Sequence, residues 1–360
     1  MPTPVITNTQ LGWAYQTGFV NRVKTPSQFL TRLVFGGREE TLPTESAELS
    51  FREGERLLAP MVEVNAEAIP VGGRSTTFAN VSTPNIKIKR PMEAYQVFLR
   101  RQPNTDVFIG GGGAVAQART QAIAEDSVYM VEMVENRLEW MVSSLVTDTT
   151  SGNMTLEYSV EDRANWKVSV PRSTDMTRTL TSNDVWGGST ADIKQDFLTV
   201  KRAFSKHING TPTVCVMDDL AADEFLADTT VQNLLDKRNV DAGNLALQSQ
   251  FGDEGAIYHG DFMGIPCWEY SREYVNDAGS AASFMPDNTA MFLSASGLRD
   301  SRVLYGAIPD HDAFDQGLFV GKRFSKSWKQ PDPSVYVQML QTRPLPHIRQ
   351  PNSVYVLTTG

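Results

Sequence analysis

Hydrophobic and polar positions along this chain follow two different periods. In the stretch MVEVNAEAIPVGGRSTTFANVSTPNIKIKRP, Val62, Val64, Ala66 and Ala68 alternate with Glu63, Asn65 and Glu67, and Ile86 and Ile88 alternate with Lys87 and Lys89. Period two marks strands with unlike faces. Gly72 and Gly73, followed by Arg74, lie between the two runs, where the chain can reverse. The spacing predicts a long hairpin with glutamates on one strand opposite lysines on the other. Its apolar face is thin, and an isolated two-stranded ribbon is marginal in water, so it is expected to need a neighbour to lie on.

Period 3.6 dominates the next segment. Ile123, Met130, Val134, Leu138, Met141 and Leu145 recur at helical spacing, and nothing from Ala114 to about Val146 breaks the helix. Glu125, Asp126, Glu132, Glu135 and Glu139 are expected mostly on its other faces. Some 30 residues at this rise span roughly 45 Å, so the segment reads as a beam. Beyond it, residues 154–170 read as strands. Asp192–His207 reads as a second amphipathic helix, with Ile193, Phe197, Val200 and Phe204 on one face. PTVCVM (212–217) reads as a buried strand, and DDLAADEFLAD opens a helix capped by its leading aspartates, Asp218 and Asp219. Short strands and loops follow over 256–320. The two SVYV pieces, at 334–337 and 353–356, are expected to be two strands of one sheet. The mixture is α+β.

Composition places this pattern in a folded chain. Of 360 residues, 41% are apolar and 21% charged, which supports one large or two ordinary domains with a proper core. The two cysteines, Cys215 and Cys267, have no paired spacing and fit a reducing compartment. No apolar run is long enough for a membrane span. Residues 1–21 carry no charge, yet lack the basic start and continuous apolar stretch of a secretion signal. They are expected to form an extended arm that orders against something else.

The net charge of −9 is unevenly spread. Residues 1–104 hold 12 Lys/Arg and 9 Asp/Glu, and residues 105–360 hold 21 and 33. An acidic body argues against tight nucleic-acid binding, which needs many cationic phosphate contacts. It also lets the basic first third lie on the acidic body of another copy.

The sequence offers little chemistry. Gly111, Gly113 and Ala116 match a dinucleotide fingerprint by letter, but the helix that follows is too long for a βαβ crossover and no acid-ended strand follows it. There is no P-loop lysine. The glycines Gly110, Gly111, Gly112 and Gly113 are therefore read as a hinge before a rigid helix. His259 with Asp261, and His311 between Asp310 and Asp312, lack helical ligand spacing and read as loop residues. No nucleophile elbow occurs. Neither catalytic, cofactor-binding nor metal-binding residues are assigned, and an enzyme is not expected.

Several stretches in order resemble the lambda-type (E-type) major capsid proteins of tailed bacteriophages. They are FLTRLVFGGREETLPTESAELSF, the hairpin run quoted above, FMPDNTAMFLSASGLRDSRVLYGAIPDHDAF with Pro286–Thr289 at its centre, and SWKQPDPSVYVQMLQTRPLPHIRQPNSVYVLTTG. They cover the N-terminal third and the last quarter. The resemblance implies a Hong Kong 97-type fold with an N-terminal arm (1–40), an E-loop (41–100) and a P-domain (101–185) carrying the spine helix (about 114–146). An A-domain (186–324) and C-terminal strands returning to the P-domain (325–360) complete it. It further implies self-assembly into hexamers and pentamers of an icosahedral shell around double-stranded DNA. The implied partners are other copies of the chain, a scaffold, a portal and, as a further candidate, a decoration protein. The packaged DNA would be contacted weakly and no membrane would be involved. The location would be the virion after assembly in the host bacterial cytoplasm. Val62, Glu63, Val64, Glu67, Gly72, Gly73, Arg74, Lys87 and Lys89 are the E-loop candidates for contact between subunits. Lys87 and Lys89 are read as solvated or ion-paired, not as crosslinking residues. Two other readings are a related shell that encloses enzyme cargo and a nucleotide-dependent enzyme using the glycine run.

Overall fold

The computed structural model describes residues 12–23, 28–52, 76–93, 112–149, 152–158, 166–208, 210–235, 255–311, 318–332 and 335–360. Its longest element is the helix Gly112–Thr147, 36 residues, or about 54 Å at the usual rise. Its apolar stripe serves three clusters, the first of which joins Ala122 and Ile123 to Met92. Met130, Val131 and Val134 pack with Val20 and Leu340, while Leu138, Met141, Val142, Leu145 and Val146 enter the main core. The acids do not all lie on solvent faces as expected. Asp126, Glu135 and Glu139 are buried, each with a partner: Arg90 for Asp126, Arg323 for Glu135, and a group of donors around Glu139. A buried charge is tolerated when it is paired or hydrogen-bonded.

The first half of this spine packs against a three-stranded antiparallel sheet in the order Phe324–Gln330, Val335–Thr342, Ile86–Glu93. A helix over Trp13–Arg22 packs on the same sheet, which corrects the expectation of an extended arm for those residues. Inward polar side chains of this helix hydrogen-bond the sheet. Thr17 Oγ1 donates to the Ser325 carbonyl at 3.0 Å and receives the Ser325 N–H at 3.0 Å. A second helix, Phe29–Phe35, buries Phe29, Leu30, Val34 and Phe35.

The second half of the spine faces a six-stranded mixed sheet. Its order is Thr177–Thr179, Val354–Thr358, Thr289–Leu293, Val214–Met217, Ile265–Tyr270, Ala256–Phe262. The central run Val214–Met217 is buried on both faces, which is why it reads as continuous rather than alternating. Val214 and Val216 join the spine-side core. Cys215 and Met217 join a second core under the helix Ile193–Ile208. The expected face of that helix is the observed one, with Ile193, Phe197, Val200 and Phe204 all buried.

One expectation about strand pairing is overturned. The SVYV copies lie in different sheets: Val335–Thr342 in the three-stranded sheet and Val354–Thr358 in the six-stranded one. Like sequence sets like propensity, whereas the partner is set by what each face buries. The first strand of the expected hairpin, Val62–Ala68, lies outside the described residues. The ribbon pairs Ser46–Arg52 with Thr76–Ser82, and Ile86–Glu93 pairs with Val335–Thr342. Lys87 and Lys89 stand opposite Gln341 and Met339; the glutamates expected across from them, Glu63 and Glu67, lie outside the described residues. Ile86 and Ile88 decide the pairing with Val335–Thr342, because they pack towards Met130, Val134 and Leu340 of the spine cluster.

Candidate functional site

The ribbon of Ser46–Arg52 and Thr76–Ser82 is anchored in the body at its root. Ala47, Leu49 and Phe51 alternate with Ser46, Glu48 and Ser50, and the first three are buried in the main core. Thr83 donates two hydrogen bonds at the root: its N–H to the Glu45 carbonyl at 3.0 Å and its Oγ1 to the same oxygen at 2.8 Å. The Arg343 guanidinium donates to the Thr83 carbonyl at 3.1 Å, and Trp166 Nε1 donates to the Ser82 carbonyl at 2.8 Å. Phe51 meets the edge of the His347 ring at a centroid distance of 5.6 Å. Burial pushes the His347 imidazole down to about 4, and the charges of Arg302 and Arg349 push in the same direction. On the outer face Phe78, opposite Ser50, is 63% exposed.

The ribbon end lies outside the described residues. Val62, Glu63, Val64, Glu67, Gly72, Gly73 and Arg74 are there, as are Gly110 and Gly111. Gly112 and Gly113 are the first two residues of the spine helix, so this half of the hinge candidate is helical backbone rather than a bend before the helix.

Lys87 and Lys89 are exposed on the face of the three-stranded sheet that points away from the spine. Across that face the rows run Phe324, Gln341, Lys87, then Lys326, Met339, Lys89, then Trp328, Val337, Pro91. The Lys89 amine sits 5.9 Å from the centre of the Trp328 ring. Lys326 is already paired with Asp310 at 2.7 Å. Among the described residues neither Lys87 nor Lys89 has an ion-pair partner. Ile86 and Ile88 point the other way, into the spine cluster.

Chemical constellations do not hold up in three dimensions. Ser173, His207 and Asp175 converge, but Ser173 Oγ at 3.5 Å and the Asp175 carboxylate at 3.3 Å share the same ring nitrogen. A relay needs the acid on the other nitrogen. His259 pairs with Glu269 at 2.7 Å rather than with Asp261, which accepts from the Tyr258 hydroxyl at 2.8 Å. His311 is exposed. No group of three metal-ligating side chains occurs among the described residues. Cys215 and Cys267 are register partners on neighbouring parallel strands, buried and free, and burial raises the Cys215 thiol well above its ordinary value.

Two carboxylates organise the body instead. Asp218 caps the helix Asp219–Ala227 as expected, receiving the Ala221 N–H at 3.3 Å. It also receives the N–H groups of Asn288 at 2.8 Å and Thr289 at 2.9 Å, and so holds the Pro286–Thr289 turn, where Asn288 sits at φ 53°. Glu139 reaches from the spine to the start of the helix Phe29–Phe35 and receives the N–H groups of Leu30 and Thr31. Neither the second role of Asp218 nor the role of Glu139 has a local sequence signal, because each partner is distant in the chain.

A family model described as phage major capsid protein E matches residues 12–359. The chain is 29% identical over 192 residues to the major capsid protein of Escherichia phage lambda, which covers 51% of this chain and 54% of that protein. It is 28% identical over 193 residues to the major capsid protein of Escherichia phage N15, with the same shares covered. The chain thus spans about half the length of the curated relatives it matches. A crystal structure of a prophage protein from Escherichia coli CFT073, assigned as a capsid protein, superposes with a TM-score of 0.71 at 14% identity. It covers 97% of this chain and 99% of that one, a likeness of fold.

Proposed function

Because this chain belongs to the phage major capsid protein E family, we infer that it is a major capsid protein of a tailed phage, a structural subunit rather than an enzyme. Its fold is the α+β capsid fold of Hong Kong 97 type. Copies of the chain assemble into hexamers and pentamers of an icosahedral shell that encloses double-stranded DNA. The observation that carries this reading is the family match across residues 12–359.

The physical reading agrees with it. A ribbon fixed at its root and thin along its length completes its burial on a neighbouring copy. Several modest contacts per subunit act in parallel, so the assembled shell is held more tightly than any single contact. An acidic wall leaves packed DNA free to slide. In this reading residues 1–40 form the arm, 41–100 the E-loop, 101–185 the P-domain with the spine, and 186–324 the A-domain. Residues 325–360 close the fold. A scaffold, a portal and a decoration protein are the further partners, assembly takes place in the host cytoplasm, and the product is the virion shell.

Negative-stain microscopy and sedimentation of the purified chain test the reading. Closed particles or capsomer rings are the expected outcome. A stable monomer or dimer under every assembly condition, with or without a scaffold, sinks it.

A further inference from the structure

The two cysteines have no paired spacing in the sequence, yet the fold sets them side by side. Cys215 and Cys267 are register partners on the neighbouring parallel strands Val214–Met217 and Ile265–Tyr270. Register partners project to the same face of a sheet, and both side chains enter the core under the helix Ile193–Ile208. Neighbouring strands lie about 4.8 Å apart, inside the Cα separation of about 4.4–6.8 Å that a disulfide spans. Both thiols are free and buried. Burial keeps the Cys215 thiol protonated, and the thiolate is the nucleophile, so the pair is inert while the sheet is closed. The sheet has a weak point beside it. Ala256–Phe262 is the edge strand, and its pairing with Ile265–Tyr270 slips in register between Cys267 and Trp268. Cys267 stands opposite Gly260, which is at φ 124°, and such an irregularity interrupts the ladder locally.

We propose that Cys215 and Cys267 form a redox modification site, at which a small-molecule disulfide, glutathione disulfide, reaches the pair through opening of the edge strand and converts the two thiols into a disulfide that staples Val214–Met217 to Ile265–Tyr270. The Cys267 thiolate attacks one sulfur of the oxidant, which forms a mixed disulfide and releases one glutathione. The Cys215 thiolate then attacks the Cys267 sulfur of that mixed disulfide and releases the second glutathione. Both thiol protons end on glutathione, and two electrons pass from the cysteines to the oxidant. The crosslink closes a long loop that contains the helices Asp219–Ala227 and Thr229–Leu235 and the edge strand, and so removes entropy from the unfolded chain. On the shell reading above, the chain is made reduced and meets oxidant after it leaves the host. The chemistry itself belongs to a single chain and needs no shell.

Thiol counting tests the site. The purified chain is incubated with glutathione disulfide, with and without urea below its unfolding transition. It is then alkylated with N-ethylmaleimide in full denaturant and weighed by mass spectrometry. The reduced chain carries two maleimides. The oxidised chain is expected to carry none, to be lighter than the unalkylated reduced chain by two hydrogens, and to give a crosslinked peptide pair holding Cys215 and Cys267. Urea is expected to speed oxidation at least about tenfold, because the edge must open first. The melting temperature of the oxidised chain is expected to rise by about 5 °C or more and to fall back on reduction. Cys215→Ala is expected to stop at the mixed disulfide on Cys267, heavier by one glutathione, with no such rise. Two maleimides on the wild-type chain after oxidation in urea overturn the proposal, as does a mixed disulfide that never closes or a crosslink that leaves the melting temperature unchanged. Failure of the shell reading is distinguishable, because a chain that forms no particles still gives this disulfide.

Discussion

The carboxylate of Glu139, in the C-terminal third of the spine helix, receives the hydroxyl of Tyr270 from the six-stranded sheet at 3.0 Å. The same carboxylate receives the Leu30 N–H at 2.7 Å, the Thr31 N–H at 2.9 Å and the Thr31 hydroxyl at 2.6 Å. One side chain thus joins the spine, the sheet and the backbone donors at the start of the helix Phe29–Phe35, which have no partner within that helix. Burial raises the Glu139 carboxyl above its ordinary value, while these donors pull it down.

Glu139→Ala leaves four donors without their acceptor, two of them backbone groups in the core. The expected loss is about 3–5 kcal/mol in chemical unfolding of the unassembled subunit. Glu139→Gln keeps one acceptor oxygen and should lose about 1–2 kcal/mol. Amide exchange at Leu30 and Thr31 should accelerate in both variants. Unchanged protection there would show that the helix start is held by something else.

Asp218 is a second shared acceptor. Asp218→Ala removes a helix cap and the acceptor for the Asn288 and Thr289 amides, for an expected loss of about 3 kcal/mol. The damage should reach the C-terminus, because the Thr359 N–H donates to the Asn288 carbonyl at 2.7 Å. Asp218→Asn keeps the oxygen that serves Ala221 and Thr289 and should lose about half as much. Melting temperatures of the three chains in one buffer check the order.

These two residues mark what the sequence makes legible. The amphipathic helices at 112–147 and 193–208, the buried strand at 214–217 and the cap at Asp218 follow from local periodicity and local chemistry, and all are found. Pairing is not local. The strand Ile86–Glu93 shows its period plainly, but only the spine cluster decides that it joins Val335–Thr342. The same holds for Asp126, Glu135 and Glu139: as letters they are a polar helix face, and only Arg90, Arg323 and the Phe29–Phe35 helix make them interior. Polar side chains likewise dock the helix Trp13–Arg22, whose residues 13–21 carry no charge, and hydropathy cannot signal this docking.

His347 gives a pH dependence of known sign. Its folded value is about 4, against about 6.5 in an unfolded chain. The unfolded state binds the proton more tightly, so this group lowers stability as pH falls from about 6.5 towards 4, by roughly 3 kcal/mol in all, and adds nothing further below that. His347→Leu removes the group and keeps apolar contact with Phe51. The difference in unfolding free energy between wild type and His347→Leu should therefore shift in favour of the variant across that window. A pH-independent difference would contradict the assignment.

Gly306 sits against the ribbon root with no room for a side chain. A Cβ there would lie 2.2 Å from Thr83 Oγ1, the atom that donates to the Glu45 carbonyl. Gly306→Ala should cost about 1–3 kcal/mol by displacing that hydroxyl. Thr83→Ala relieves the clash, so the double variant should be more stable than the sum of the single effects predicts. Additive losses would place the strain elsewhere.

Two deletions separate the ribbon end from the body. Removing residues 62–89 takes away the strand Thr76–Ser82, together with Ile86 and Ile88, which pack against Met130, Val134 and Leu340. That deletion should destabilise the subunit itself by several kcal/mol, about what losing two core side chains costs. Replacing only residues 53–75 with an Asn-Gly turn is different. It leaves Ser46–Arg52 paired with Thr76–Ser82 and leaves Ala47, Leu49 and Phe51 in the core, and a two-residue turn of this kind suits the twist of a hairpin. This shortened chain should melt within a few degrees of wild type yet form no closed shells under conditions where wild type does. Shells of normal yield from it would show that the ribbon end does not interlock subunits. A large fall in melting temperature would show that residues 53–75 belong to the core of their own subunit.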